Sequence, residues 1–232
     1  MAAEPRPARP RRIWITRAQP GAEATAARVR AMGLEPVVAP VLEVRARTGV
    51  TVDLTGVDAL AFTSAAGVAA FAGLCDERDL AVFTVGDATA EAARAAGFDG
   101  VRSAGGDAQA LAELIASVAP RPRVLNPTAA EPAADLCALL AARGVAVRAL
   151  VVYETIDCEP PPPPADLDGV LIHSAKAARA VARALAGAER SSLTAYVISR
   201  AAAAPLSELG LRWIALAALP NEDALLALLA EG

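Results

Sequence analysis

Val151–Ile156 reads VVYETI, a β-branched run of strand type that carries Tyr153, one of only two tyrosines in the chain. Five prolines follow it, Pro160–Pro164, and predict a stiff, PPII-like surface connection. An echo of the run stands near the start, at Pro40–Val44 (PVLEV). Two similar strands at corresponding places predict a duplicated chain with two lobes, and two links passing between them.

Working outward from these links, strands alternate with helices of about ten residues, which means parallel sheets covered on both faces. Before the first link, Ile13–Thr16 and Glu35–Ala39 read as strands, and Ala22–Met32 between them as a helix stopped by Gly33. After it, Asp58–Phe62, Ala81–Val85 and Val101–Ser103 read as strands. The helices there are Ala65–Leu74, Asp87–Ala96 and Asp107–Val118, the last capped by Asp107. Arg123–Asn126, a helix over Glu131–Ala142 and a strand over Val145–Leu150 lead into VVYETI. Beyond the prolines come strands at Gly169–His173, Ala195–Ile198 and Trp213–Leu216. Helices are expected over Lys176–Ala186 and Ala201–Leu209, and a last one runs from its Asn221 cap to Glu231.

The two halves align at an offset of about 110 to 114 residues. The segment RIWITRAQP lies over RVLNPTAAE, with Gly33 over Gly144 and Glu43 over Glu154. Likewise VDALAFTS lies over LDGVLIHS, with Asp58 over Asp168 and Ser64 over Ser174. A third match sets Gly97 over Gly210. Either each half folds alone, or the middle of the chain forms one lobe and its two ends complete the other. The crossed arrangement is preferred, because the two links then run in opposite directions and can pair. It divides the chain into an inserted lobe over 50–150, a discontinuous lobe from 11–40 plus 160–232, and linking strands at 41–49 and 151–159.

Composition narrows the function. The 232 residues are 55% hydrophobic and 3% aromatic, so an aliphatic core is expected and stacking platforms for bases are not. The net charge is −4, and Lys176 is the only lysine, so the overall field does not favour nucleic acid. Any anionic ligand has to be captured locally. Cys75, Cys137 and Cys158 are far apart and lack metal-ligand spacing, which reads as reduced thiols in the cytosol. Residues 1–12 read as a frayed tail rather than a signal peptide, and no long uncharged apolar run predicts a membrane span. There is no P-loop, no GxGxxG after the first strand and no GxSxG.

In open parallel sheets, ligands bind outside the carboxyl ends of the strands. Those ends carry Thr16-Arg17, Thr63-Ser64, Gly86-Asp87-Ala88-Thr89, Asn126-Pro127-Thr128, His173-Ser174-Ala175-Lys176 and Ser199-Arg200. Each also has a plainer reading. A hydroxyl at a strand end is an ordinary helix cap. Arg17 equally reads as the partner of a nearby carboxylate, His173 (the only histidine) as a hydrogen-bonded structural residue, and Lys176 as solvated. Tyr153 is either a packed strand residue or a hydroxyl aimed into a cleft. Asp87 has no second carboxylate nearby in sequence, so no acid–base pair is legible.

Taken together, ITRAQPGAEATAARVRAMG, ALAFTSAAGVAAF, VGDATAEAARAAGF and VVYET resemble the uroporphyrinogen-III synthase family, from Ile13 nearly to the end. The resemblance implies two flavodoxin-like or Rossmann-like α/β lobes joined by a two-stranded antiparallel linker. It implies cyclisation of hydroxymethylbilane with loss of water and inversion of ring D, by an enzyme that uses no metal or organic cofactor. A monomer is expected because both edges of the repeat are used internally, and a cytoplasmic setting from the cysteines. The resemblance assigns Tyr153 to catalysis, at the leaving hydroxyl. It assigns Arg17, Thr63, Ser64, Gly86, Thr89 and Ser174 to substrate binding, and where the chain departs from the family pattern, Ser199 or Arg200 is expected to supply a contact instead. The second copy of the G-x-x-T turn reads Ser199-Arg200-Ala201-Ala202, so its threonine is missing, and Asn126–Glu131 lacks an Arg-Gly often found there. These departures motivate an alternative, a tetrapyrrole-binding or regulatory protein without turnover. A bilobal small-molecule receptor is a third reading.

Overall fold

The computed structural model describes residues 10–159, 166–187 and 190–230. The N-terminal residues 1–9, the proline run and Glu231 lie outside them. The chain begins with β1 (Arg12–Ile15), α1 (Gly21–Ala31), β2 (Glu35–Val38) and β3 (Leu42–Ala46). Next come β4 (Ala59–Phe62), α2 (Ala65–Ala72), β5 (Ala81–Thr84), α3 (Asp87–Ala95), β6 (Val101–Ser103) and α4 (Ala108–Ala116). β7 (Val124–Ala129), α5 (Leu136–Ala141) and β8 (Val147–Asp157) follow. The chain closes with β9 (Gly169–Ile172), α6 (Ala175–Ala184), β10 (Thr194–Val197), α7 (Arg200–Ala203), β11 (Trp213–Leu216) and α8 (Glu222–Ala227).

These elements form two compact units. One is the middle of the chain, Val44–Thr155, and the other joins the segments on either side of it. The split unit has a five-stranded sheet in the order β11-β10-β9-β1-β2, parallel throughout. The crossed arrangement is therefore the observed one: β1, from the start of the chain, pairs with β9, from its last third. The middle unit has the order β3-β8-β7-β4-β5-β6, with β4, β5, β6, β7 and β8 parallel. β3 is the exception. Arg47 N–H donates to Val152 C=O, and Cys158 N–H donates to Val41 C=O, so the two segments run antiparallel.

Pleating sorts the apolar residues into layers on each side of a sheet. In β1, Ile13 and Ile15 face a layer with Val29 of α1 and Leu225 of α8, while Trp14 faces α6. In β4, Ala59 and Ala61 face Leu111 and Ile115 of α4, while Leu60 and Phe62 face Val68 and Phe71 of α2. This last layer departs from the expected aliphatic core. Phe62 and Phe71 meet edge to face at 5.8 Å between centroids, and Phe98 lies 6.1 Å from Phe62.

The duplication is visible in hydrogen bonds as well as in letters. Arg123 N–H donates to Asp58 in the middle unit, and Arg12 N–H donates to Asp168 in the split unit, each at 2.9 Å. Asp58 also takes the Arg123 guanidinium, which with the backbone N–H holds its carboxyl at about 2.

Four local expectations are corrected. Val145–Leu150 and VVYETI belong to one continuous strand, β8 from Val147, because no Gly, Pro or Asn stands between them to signal a turn. β7 runs on through Pro127 to Ala129, past its last pairing with β4, where the missing proline N–H is not required. The helix expected from Glu131 starts only at Leu136: Asp135 takes the N-cap, accepting from Ala138 N–H at 2.9 Å. At the other end, the helix expected over Ala201–Leu209 gives way after Ala203 to a 3₁₀ turn over Ala204–Leu206 that contains Pro205. Among the described residues, no helix is long and apolar enough to cross a membrane.

Gly169, at the start of β9, is closely packed in the split unit's core. A Cβ there would stand 2.7 Å from Tyr196 Cε2 and 2.9 Å from Ile13 Cδ1. Both neighbours are buried side chains with little room to move. Gly169→Ala is expected to cost about 1–3 kcal/mol through overpacking, read as a lower urea midpoint at unchanged slope. A midpoint equal to wild type would show that the core yields.

Candidate functional site

A parallel sheet offers a binding crevice where consecutive connections leave in opposite directions. In the middle unit, β4 connects through α2 to β5 on one side, and β7 connects through α5 to β8 on the other. The switch point therefore lies between β4 and β7. A cavity of about 470 Å³ opens at their carboxyl ends. Its lining includes Thr63 and Ser64 after β4, Thr128 and Ala129 of β7, and Tyr153 and Thr155 of β8.

Ser64 caps α2, accepting from Gly67 N–H at 3.0 Å. Its Oγ also lies 2.9 Å from the Tyr153 hydroxyl, in a hydrogen bond either group can donate. Tyr153 is 9% exposed, so this buried phenol is held in place by one serine. Its direction comes from a β-bulge. Thr128 pairs with Val151 but Ala129 pairs with Tyr153, which leaves Val152 as the extra residue. Without the bulge, Val152 would oppose Ala129. Gly67 allows the first turn of α2 to approach β7, since a Cβ there would stand 3.1 Å from Pro127 C=O.

The residues lining the cavity include two carboxylates, Asp107 and Glu131, and no basic side chain. One oxygen of Asp107 is committed to capping α4, accepting from Gln109 N–H and Ala110 N–H. Gly86 and Thr89 are placed beyond this wall, on the neighbouring β5–α3 turn. Gly86 caps α3 in an extended backbone that any residue adopts, and Thr89 is buried in the helix. Thr128, Thr155 and Glu131 were not among the residues assigned to the site from sequence. Thr155 had a signal, since it lies two residues past Tyr153 on one strand face. Glu131 was hidden by the helix expected there.

The remaining assigned residues belong to the split unit. There β1 connects to β2 and β9 connects to β10 on the opposite side, so the switch point lies between β1 and β9. Thr16, after β1, donates to Leu171 C=O of β9 at 2.7 Å and ties the two strand ends together. Ser174 caps α6 and Ser199 caps α7. The absent threonine of the second G-x-x-T turn falls at Ala202, fully buried in α7, and the Ser199 cap survives its loss. Arg200 is exposed on α7.

Arg17 lies over Gly21, where a Cβ would stand 2.7 Å from its Nε. Its Nη1 donates to Glu222 at 3.0 Å and to the Thr25 hydroxyl at 3.2 Å. Thr25 in turn donates to the other Glu222 oxygen at 2.5 Å. His173, immediately after β9, has its Nε2 4.0 Å from Glu222, and neither ring nitrogen has a hydrogen-bond partner. Burial and the Arg17 charge push its pKa down to about 4, against a smaller upward pull from Glu222.

Two doubly wound units, each with a polar switch point, define an α/β protein built to hold small molecules at strand ends. The family model for uroporphyrinogen-III synthase HemD matches residues 23–227, and the chain belongs to that family. It functions as a synthase of tetrapyrrole biosynthesis, a cyclising lyase. Its fold is similar to uroporphyrinogen-III synthetase from Helicobacter pylori, at 20% identity and TM-score 0.63, over 95% of this chain and 99% of that one. A triple mutant of uroporphyrinogen III synthase from Thermus thermophilus aligns at 19% identity and TM-score 0.47, over 95% and 96%. No curated protein gives a match.

The buried imidazole makes stability depend on pH. An unfolded histidine takes its proton near 6.5, whereas His173 in the folded chain waits until about 4. The folded state therefore binds fewer protons between these values, and stability is lost as pH falls from 6.5 towards 4. That loss is on the order of 3 kcal/mol. His173→Gln should remove this share of the acid limb in urea titrations at pH 7, 6, 5 and 4.5, and a variant with the wild-type slope would contradict it.

Proposed function

We propose that the middle unit's cavity is where the hydroxymethyl end of hydroxymethylbilane reacts, with Tyr153 as the group that assists loss of water. What carries the reading is the buried Tyr153 hydroxyl, held by Ser64 in a cavity at the switch point. A pyrrole nitrogen pushes its electron pair towards the hydroxymethyl carbon, and the C–O bond breaks. Tyr153 supplies the hydrogen bond, and then the proton, that turns hydroxide into water. The cation left behind is an azafulvene. The carboxylates of Asp107 and Glu131 in the cavity wall favour positive charge developing there.

Ring D then attacks through its substituted carbon, and the spiro intermediate fragments and recloses. The proton released at closure restores the phenol, so the balance is one bilane to one uroporphyrinogen III and one water. The substrate brings its own electron-rich pyrroles, and the protein's part is positioning and one proton.

Thr63 and Ser64 are placed as substrate contacts of this unit, with Gly86 and Thr89 at the next strand end. Arg17, Ser174, Ser199 and Arg200 are proposed as contacts of the split unit, where backbone N–H groups at the strand ends and two guanidinium groups can take the substrate's carboxylates. The setting proposed is the cytosol, with the chain as a monomer acting without nucleic acid or membrane. Three free cysteines are in keeping with the cytosol, and burial raises the thiols of Cys137 and Cys158.

The test is isomer analysis. Freshly made hydroxymethylbilane closes to isomer I alone in solution, whereas the chain should give predominantly isomer III after oxidation and separation. Tyr153→Phe should lower the rate of isomer III formation by about 100-fold with an unchanged urea midpoint. A Phe variant at the wild-type rate would remove Tyr153 from the chemistry.

A further inference from the structure

The sequence repeat equates the residues at the two switch points. Arg17 stands where Thr128 stands, and His173-Ser174 where Thr63-Ser64 stand. In the middle unit these positions line an open cavity of hydroxyls. In the split unit they carry a guanidinium and an imidazole, and Glu222 of α8 is bound to the guanidinium.

His173 is the anomaly. Its side chain is 10% exposed and neither nitrogen has a partner. A buried polar group left unsatisfied costs its full desolvation, and such a group calls for a specific account. The imidazole is neutral and so keeps one N–H donor. Nearby, Glu222 spends one oxygen on Arg17 and the other on Thr25, and stops 4.0 Å short of His173. Three donors thus converge on one carboxylate, and the carboxylate present satisfies two of them. Arg17 and Glu222 are 33% and 26% exposed, so a ligand in solution can reach the pair.

We propose that Arg17, Thr25 and His173 form a carboxylate-binding pocket at the split unit's switch point, that Glu222 occupies it in the free protein, and that a carboxylate arm of the tetrapyrrole displaces Glu222. The assignment of that arm to a tetrapyrrole rests on the synthase reading. The incoming carboxylate completes the set of donors, accepting from Arg17, from Thr25 and from the His173 N–H. Glu222, in the first turn of the short α8, moves out to solvent. The guanidinium is thereby charge-compensated whether or not ligand is present, and His173 reports occupancy.

The experiment uses the untagged full chain and uroporphyrin III, the stable oxidised form of the product. His173 is the only histidine, so the imidazole region of the NMR spectrum holds one residue. Binding should shift that signal strongly. Glu222→Gln should tighten binding about tenfold, because the competing internal anion is gone. His173→Leu should weaken it about tenfold, and His173→Gln, which keeps an N–H donor, should recover most of the loss.

An unmoved imidazole signal on saturation would overturn the proposal, and so would Glu222→Gln binding no tighter than wild type. Should Glu222→Gln fail to fold, the wild-type imidazole signal decides alone. Failure of the synthase reading looks different: wild type would bind uroporphyrin III with a shifted His173 signal and yet yield only isomer I from the bilane.

Discussion

The parallel pairing of β1 with β9 is the constraint on which the rest of the structure depends. Ile13 pairs with Gly169 and Ile15 with Leu171, so the split unit's sheet is closed by strands from opposite ends of the chain. The whole middle unit lies inside that loop. Closing a long loop costs entropy only slowly with its length, and a folded insert shortens it further. The contact is nonetheless non-local, and it sets an order. β9 is made only after the middle unit is complete, so the split unit cannot finish its core before its partner is available to fold. Gly169 is the small residue that lets this pairing close under Tyr196 and Ile13.

The same pairing creates the split unit's switch point, because β1 and β9 are the strands from which the connections diverge. Duplication supplies the counterpart between β4 and β7. What differs is the chemistry hung on equivalent backbone. The middle unit's ends are hydroxyls, a buried phenol and two carboxylates, suited to proton traffic and positive charge. The split unit's ends are a guanidinium and a neutral imidazole, suited to an anion. Equivalent backbone positions in the two units thus carry different chemistry without any change of element.

Much of this was legible in the residues. Strand and helix spacing, the three in-order matches between halves and the VVYETI link together yielded the parallel units and the crossed connectivity. Thr63, Ser64 and Tyr153, assigned from sequence, do meet in one cavity. What stayed hidden depends on tertiary context. The bulge at Val152 is a one-residue register choice that no local pattern records, yet it decides which face Tyr153 takes. Glu222 read as an ordinary acidic residue in a helix's first turn. Its meeting with Arg17 joins residues at the two ends of the chain. Phe62, Phe71 and Phe98 are too few to register in composition, but the fold gathers all three in one layer.

For a chain of net charge −4, the carboxylate capture proposed above is a problem of electrostatics. Several of its guanidinium groups are matched by carboxylates within the chain. Arg12, Arg28, Arg123, Arg148 and Arg183 each sit against a carboxylate of the chain itself. Exposed pairs of this kind contribute little to stability and are screened by salt. They do leave the protein without a long-range field to draw in unrelated polyanions such as nucleic acid. Local capture then has two means: backbone N–H groups at strand-end caps, which carry no net charge, and exchange of one ion pair for another. The Arg17–Glu222 pair fits the second. An unpaired guanidinium at position 17 would attract any anion at all times, whereas Arg17, already neutralised by Glu222, yields only to a carboxylate that offers more. For this pair the additional offer is the His173 N–H that Glu222 does not reach, so selectivity comes from donor geometry and not from charge.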